Sequence, residues 1–510
     1  MPAQLTTKAQ VNGYRFLLRR LDHALVRRDV RMLHDPMRSQ SRSMMVGAVL
    51  GLIIVAGAAI LGFLKPQGAI GDALIVTGKQ SGAMYVVVEA KEGEKTLHPV
   101  LNLASARLIA GDAQSPKSVK DDKLGSLPRG PLLGIPGAPA AMPGSKQGSS
   151  SNWTLCETTQ LSSAGSAAGT SGGLTTAIVG KPETGDRIGP TGADDALLVR
   201  HDDKTYLVYR GTRAEVDPAN SVIARTLGLS GQHVRPIGSA VLGATTQAPP
   251  LAVPAIDRAG EPGPGKLSNV PIGGIIAVTG VQAAGQETMY VVLADGVQRV
   301  SEFTADLLRN TDSRGMREIA ELAPDVLDRM PILETLPITD FPERKPRILS
   351  AEDAPVACVN WAKDPGEATA QGKTVDGPAE RATVTLLAGT KLPLADSAKP
   401  VTLSTADGSG DRMDAVYLPP TTGEYVQVTG AEPGSLRRES LFYVADNGIR
   451  YGIPDAATAA VLGLGDKPRL APWSIIGQLV PGPTLSAKDA LTSYDSLPSV
   501  VRTGSAAVPH

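Results

Sequence analysis

The sequence predicts an α+β fold in three parts. A basic helix comes first, one transmembrane helix follows, and a large body of four small ββα-type repeats surrounds a β-rich core. Three observations carry this prediction. Met44 to Leu64 reads MMVGAVLGLIIVAGAAILGFL, 21 residues without a charge. Beyond it, a run of strand, hairpin, strand and short helix recurs four times. Val76-Thr77-Gly78 and Val278-Thr279-Gly280 lie 202 residues apart, and so do Cys156 and Cys358.

Residues 1–43 form the first part. From Thr6-Thr7-Lys8-Ala9-Gln10, a helix continues through VNGYRFLLRRLDHALVRRDVRML. Tyr14, Leu17, Leu18, Leu21 and Leu25 recur at three- and four-residue spacing, which places them on one face. Arg15, Arg19, Arg20, Arg27 and Arg28 fill much of the remainder. A basic amphipathic helix beside a membrane suits anionic headgroups or a protein partner. These ten residues are therefore the expected docking surface. The plainer reading is a solvated helix whose arginines only fix topology. Nucleic acid is a poor fit for a short stub fixed at a membrane.

Residues 44–64 form the span. As a helix they reach about 31 Å, the hydrocarbon thickness of a bilayer. Orientation follows from charge. Residues 1–43 hold nine basic and three acidic side chains, a net of +6. The whole chain has 50 Lys and Arg against 51 Asp and Glu, so residues 44–510 carry 41 and 48, a net of −7. A short basic flank stays cytoplasmic, which puts the acidic body outside. A cleaved signal peptide is the rival reading. It would have a shorter apolar core and a small-x-small cleavage site, whereas Lys65-Pro66-Gln67-Gly68 follows here.

The two cysteines both lie beyond the span. In an oxidising compartment they are a candidate disulfide, and the other reading is two unrelated buried thiols. A bridge would close about 200 residues, worth up to ~5 kcal/mol by chain entropy.

The outer body divides by its repeats. Repeat 1 (65–115) contains ALIVTG, MYVVV and LHPVLNLASARLIAG. Repeat 2 (186–230) contains ALLV, TYLVY and VDPANSVIARTLGL. Repeat 3 (270–312) contains IIAVTG, MYVVL and VSEFTADLLRN. Repeat 4 (421–466) contains YVQVTG, LFYV and IPDAATAAVLGLG. β-branched and aromatic runs give strands, and the Ala/Leu period gives a helix. Ser301 and Asp455 are natural N-caps. Core and linker segments fill 116–185, 231–269, 313–420 and 467–502, and 503–510 is a tail. Each cysteine has a tryptophan three residues away, Trp153 and Trp361. The body thus reads as a duplicated half about a pseudo-twofold axis, with the cysteines at equivalent places. Residues 145–173, rich in Ser, Gly and Ala, read as a mobile linker. The prolines of 244–270 forbid regular ladders.

Catalytic motifs are wanting. A P-loop needs GxxxxGK[ST], because glycine amides cradle phosphate while Lys and Ser/Thr reach phosphate and magnesium. Gly260 to Leu267 has the glycine spacing and Lys266 but ends in Leu. Gly366 to Thr374 offers Lys373 and Thr374 but is one residue too long. Gly169 to Gly173 matches GxSxG inside low-complexity sequence. His98, His201 and His233 show no metal spacing. No catalytic residue, metal ligand or cofactor site is expected, and ATP enters only through an alternative reading at Lys266, Lys373 and Thr374.

Long strings nevertheless resemble one family. TTKAQVNGYRFLLRRLDHALVRRDVRMLHDPMR, KPQG after the span, LHPVLNLASARLIAG, GIPGAP, NWTLC, IRYGIPDAATAAVLGLG and PWSIIGQLVPGPTLSAKDAL are similar to EccB, the single-span component of mycobacterial type VII (ESX) secretion machines. The resemblance implies an inner-membrane protein with a cytosolic amino end and a periplasmic domain of four repeats. Cys156 and Cys358 match the family's disulfide. The resemblance also implies assembly with EccC, EccD, EccE and a mycosin protease, self-association of the periplasmic domains, and export of WxG and PE/PPE-type proteins. The family often carries an ATPase label, which this chain's incomplete glycine motifs do not support. The expected role is structural. An ATP-hydrolysing component and a cell-wall-binding module are the alternatives.

Overall fold

The computed structural model describes residues 7–28, 30, 36–64, 70–89, 94–148, 150–161, 173–279, 287–364 and 381–494. α1 (Lys8–Arg27) opens with a capping box: Gln10 N–H donates to Thr7 Oγ1, and Thr7 N–H donates to Gln10 Oε1. It closes at Arg28, in left-handed backbone with φ 57°. α1 is therefore shorter than the helix the sequence pattern predicts. α2 (Pro36–Leu64) contains the whole apolar run and begins before it. Pro36 sits at its first position, where a missing N–H costs nothing.

The first unit of the body is β1 (Ile75–Gly78), β2 (Met84–Glu89), β3 (Lys95–Pro99), α3 (Leu103–Ala110) and β4 (Lys117–Val119). β1 to β3 pair antiparallel, and β4 returns parallel to β1. α4 (Asp121–Leu124) and β5 (Leu132–Leu133) lead to three strands of the central sheet, β6 (Ser151–Thr159), β7 (Gly173–Val179) and β8 (Ile188–Pro190). The second unit is β9 (Asp195–His201), β10 (Lys204–Tyr209), β11 (Thr212–Val216), α5 (Ser221–Leu227), β12 (Arg235–Pro236), α6 (Ser239–Gly243) and β13 (Thr246–Gln247). The third is β14 (Ile275–Thr279), β15 (Glu287–Leu293), β16 (Gly296–Val300), α7 (Glu302–Thr311) and β17 (Ala320–Leu322).

β18 (Arg347–Ile348) pairs with β9, and the chain then re-enters the central sheet as β19 (Val356–Lys363), β20 (Thr383–Gly389), β21 (Val401–Thr402) and β22 (Ala415–Tyr417). The fourth unit is β23 (Gly423–Thr429), β24 (Leu441–Ala445), β25 (Ile449–Ile453), α8 (Ala456–Val461), β26 (Arg469–Pro472), α9 (Trp473–Ile476) and β27 (Val480–Pro481). α10 (Ala487–Ala490) precedes β28 (Ser493–Tyr494), which pairs with β5 and so ties the end of the described chain to the first unit.

Each unit thus has three antiparallel strands, a capped helix, and a strand returning parallel to the first. The caps are Asn102, Asn220, Ser301 and Asp455, and each accepts a backbone N–H of the first turn. The parallel strand lies beyond the segment that the repeat pattern marks. α3 packs on α8 and α10, and α5 packs on α7. The units therefore touch as first with fourth and second with third. In the second pair, Phe303 meets Phe341 edge-on with ring centroids 6.4 Å apart.

The central sheet runs β21-β22-β7-β6-β19-β20-β8. Its middle pair, β6 and β19, comes from two distant stretches of chain. One face of that pair carries Trp153, Leu155, Val359 and Trp361, packed with Val241 and Leu242 of α6 and Ile475 and Ile476 of α9. The other face carries Cys156, Val356 and Cys358 with Ile178 and Leu387. The alternation is the period of two expected for a strand buried on both faces.

Two expectations fail here. Residues 151–159, placed in a mobile linker, form the buried strand β6, and Gly173 opens β7. Ser151, Trp153 and Leu155 are buried although their neighbours in sequence are Ser- and Gly-rich. The two tryptophans are not equivalent points of a duplicated pattern. Trp153 precedes its cysteine and Trp361 follows its own, so an antiparallel ladder sets them directly opposite one another. Residues 365–380, 162–172 and 503–510 lie outside the described residues.

Candidate functional site

The candidate span and the helix before it come first in the chain. α2 is long and apolar enough to cross a membrane over Ser41–Ile60, and no part of that stretch is buried. On α1, Tyr14, Leu17, Leu18, Leu21 and Leu25 are all exposed, as are Arg15, Arg19, Arg20 and Arg28. Arg27 is the last helical residue. No described residue covers the apolar stripe, although leucines at this spacing ordinarily pack against something.

The centre of the body is the disulfide. Cys156 and Cys358 are register partners across β6 and β19, with Cα atoms 4.0 Å apart and the sulfurs bonded. The short Cα separation is that of a non-hydrogen-bonded antiparallel pair, where side chains approach closest. The bond therefore staples two segments separated by 202 residues.

A cluster of buried ionisable groups adjoins it. Glu157, 2 % exposed, follows Cys156 and points to the opposite face. Its Oε2 accepts the Gly238 N–H at 2.7 Å. Burial pushes its carboxyl up to about 7, against the pull of that bond and of the Arg235 charge; Asp411 adds to the rise and His201 opposes it. Arg235, 3 % exposed, donates to Thr159 Oγ1, Ala354 O and Pro355 O at 2.9 to 3.0 Å. Burial pulls its guanidinium down to about 10. Neither residue stands out in the sequence. The one available signal was a glutamate inside NWTLCETT, an otherwise apolar and hydroxylic strand.

A second buried carboxylate, Glu424, stands in the fourth unit. Its Oε1 accepts from Ser145 Oγ at 2.6 Å, and its Oε2 lies 3.5 Å from Arg469 Nη1. Burial raises its pKa, and the contacts of Ser145 and Gln147 and the Arg469 charge oppose the rise. It borders a cavity of about 530 Å³ between the central sheet and the fourth unit, with Asn152, Gly180 and Tyr417 among the walls. The exposed charges on that wall, Lys181 and Glu183 among them, are of both signs.

The residues weighed for phosphate binding are placed differently. Lys266 lies in a single 3-10 turn, Gly265–Leu267, with no strand leading into it. Its Nζ donates to Asp325 O at 2.6 Å and to Asp325 Oδ2 at 3.1 Å. Pro262 and Pro264 remove two amide donors from the turn. Lys373 and Thr374 lie outside the described residues, as do residues 169–172 of the GxSxG match. His98 is held between Thr96 Oγ1 and Pro131 O, while His201 reaches Ile237 O and His233 reaches Glu352.

The family described as type VII secretion system ESX-1, transport TM domain B (EccB), matches residues 3–499. ESX-3 secretion system ATPase EccB3 of Mycolicibacterium smegmatis is 36 % identical over 501 residues, 96 % of this chain and 91 % of that one. ESX-5 secretion system ATPase EccB5 of Mycobacterium tuberculosis is 35 % identical over 510 residues, 99 % and 97 % of the two chains. Among solved structures, a chain of an intact ESX-5 inner membrane complex is similar over 100 % of this chain and 99 % of its own, with TM-score 0.69 and 32 % identity. A chain of the EccB3 dimer from the ESX-3 core complex covers 82 % of this chain and 100 % of its own, with TM-score 0.66 and 34 % identity. This chain belongs to the EccB family of type VII secretion systems.

Proposed function

We propose that the chain is a non-catalytic structural component of a type VII secretion inner-membrane complex. α2 anchors it, the basic stub stays cytoplasmic, and the body stands on the periplasmic side. The observation that carries this reading is the end-to-end likeness to a chain of an intact ESX-5 inner membrane complex. Charge agrees, because the stub is +6 and the remainder −7. The expected partners are EccC, EccD, EccE and a mycosin protease, and the expected cargo is WxG and PE/PPE-type protein. Self-association of the body is supported by the dimer formed by the EccB3 relative.

The body itself reads as a duplicated half, each half holding two ββα-type repeats. What supports this is the shared strand order of the four sheets and the pairing of α3 with α8 and of α5 with α7. The disulfide lies at the join of the halves. The docking role belongs to the stripe of Tyr14, Leu17, Leu18, Leu21 and Leu25 and the arginines beside it.

Several relatives are named as ATPases. The geometry around Lys266 offers no phosphate cradle, so ATP hydrolysis is the competing reading and its motor is expected in a partner. Two experiments decide. Complex assembled with a chain lacking residues 1–43 should not form if the stub docks; normal assembly would contradict docking. Purified full-length chain should turn over no ATP. Turnover that disappears when Lys266 and Lys373 are both changed to Ala would overturn the structural reading.

A further inference from the structure

The joint beside the disulfide does more than fill the core. Arg235 opens β12, and Gly238 is the last residue of the two-residue step from β12 into α6. Each is held to the central sheet by a buried ionisable group. Gly238 donates to Glu157 of β6, and Arg235 binds Thr159 at the end of β6 and two carbonyls at the start of β19. Gly238 also lies on the backbone of Gly410, so closely that a Cβ there would stand 1.8 Å from Gly410 O. Asp411, next in line, accepts the Ser239 N–H that opens α6, at 2.8 Å. α6 then packs against both β6 and α9. Through this one step the second unit, the central sheet and the fourth unit are held together.

The groups facing Glu157 come from every element around it. Arg235 faces it from β12 and His201 from β9, and Asp411 faces it from the 405–414 loop. Its strand neighbours, Thr175 on β7 and Ala357 on β19, are uncharged. Asp414 is already engaged, accepting from Thr175, Asp407 and Gly408 amides. Glu352 faces Arg235 from the other side. A desolvated carboxylate opposed by a second carboxylate favours its neutral form.

We propose that the Glu157–Arg235 joint is a proton-operated clasp, which fastens α6 to the central sheet more firmly in mildly acidic surroundings than in neutral ones. The sign follows from linkage. A carboxyl that titrates higher when buried than when exposed binds its proton more tightly in the closed joint. Closure is then strongest below the ordinary glutamate range. It weakens as pH rises to about 7, where Glu157 titrates, and is level above that. Carboxylates elsewhere in the body shift both ways, Asp195 held low by Arg347 and Glu424 raised by burial, so the clasp is read only at the amides of α6.

The test is hydrogen exchange on the full chain in detergent, read as protection factors for the amides of Gly238 to Leu242. Protection should fall about 40-fold between pH 5 and pH 7, because the closed-state carboxyl is half ionised at pH 7 while the open-state one is already mostly ionised at pH 5. E157Q, which carries no proton to lose, should give a flat profile. A flat profile in the parent chain, or the same fall in E157Q, would overturn the clasp. If E157Q does not fold, D411N serves instead. It keeps the Oδ1 acceptor for Ser239 but removes the facing charge, so the fall should shrink. An unchanged fall counts against the proposal.

Discussion

Trp153 and Trp361 stand directly opposite one another across the β6–β19 ladder, on the face away from the disulfide. Their indole nitrogens differ. Trp153 Nε1 donates to Ser151 Oγ at 3.0 Å, and Ser151 Oγ in turn donates to Leu470 O at 2.7 Å. Trp361 Nε1 is buried and has no hydrogen-bond partner among the described residues. The two positions are therefore alike in packing and unlike in polar satisfaction.

That difference predicts an asymmetry. Trp153→Phe removes a donor that Ser151 uses, at a cost of about 1–3 kcal/mol, while Trp361→Phe removes a donor that has no partner and should cost distinctly less. Chemical denaturation of the two variants, compared at the same pH, measures it. Equal losses would mean that packing alone decides.

The disulfide gives a second prediction. Replacing Cys156 and Cys358 by Ser releases a crosslink between segments 202 residues apart. The expected loss is roughly 2–5 kcal/mol. Calorimetry should show a lower Tm for the variant, and the parent treated with reductant under unfolding conditions should move toward the same value. β6 and β19 share a largely buried ladder from the Thr158–Val356 pair to the Ser151–Lys363 pair, so the variant should still fold.

Acid should act on β18 in the opposite sense to the clasp. Arg347 Nε donates to Asp195 Oδ1 at 2.7 Å, and Gly192 N–H donates to Oδ2 at 2.8 Å. These contacts, led by the Arg347 hydrogen bond, hold the Asp195 carboxyl below its ordinary range. Its contribution is present above the unfolded aspartate range and is lost as pH falls through the folded value. Asp195→Asn should flatten that acid limb in a melt-versus-pH series. A limb that survives in the variant would assign it to other carboxylates.

Glycine positions offer a fourth prediction. Gly238→Ala would drive a Cβ into the Gly410 backbone and should destabilise by about 1–3 kcal/mol. Gly243→Ala, at the last helical position of α6 with nothing within 4 Å, should be neutral or stabilise by up to about 1 kcal/mol. Thermal melts of the pair measure the contrast directly.

Local features were legible in the sequence. The span, the Thr7 start of α1 and the caps Ser301 and Asp455 are set by residues within one turn of each other. The hairpins of each unit were visible because β-branched runs alternate with turn residues. What was hidden is non-local. Nothing in KSV, RP, AEL or RLAP announces a strand that will lie parallel to another tens of residues earlier, because two to four residues carry no period. β6 was masked by its polar flanks, since composition averaged over 145–173 outweighs a nine-residue strand with seven buried positions. The buried joint was invisible for the same reason. Glu157 and Arg235 are 78 residues apart in the chain, and only the fold brings Gly238 onto the carboxylate.

The most direct test of the account is purification of the carboxyl-tagged full-length chain from detergent-solubilised membranes of a cell carrying the whole secretion system. The account predicts that EccC, EccD and EccE come with it, and that imaging places its body on the periplasmic face. A chain recovered alone, or one whose carboxyl end lies in the cytoplasm, would contradict it.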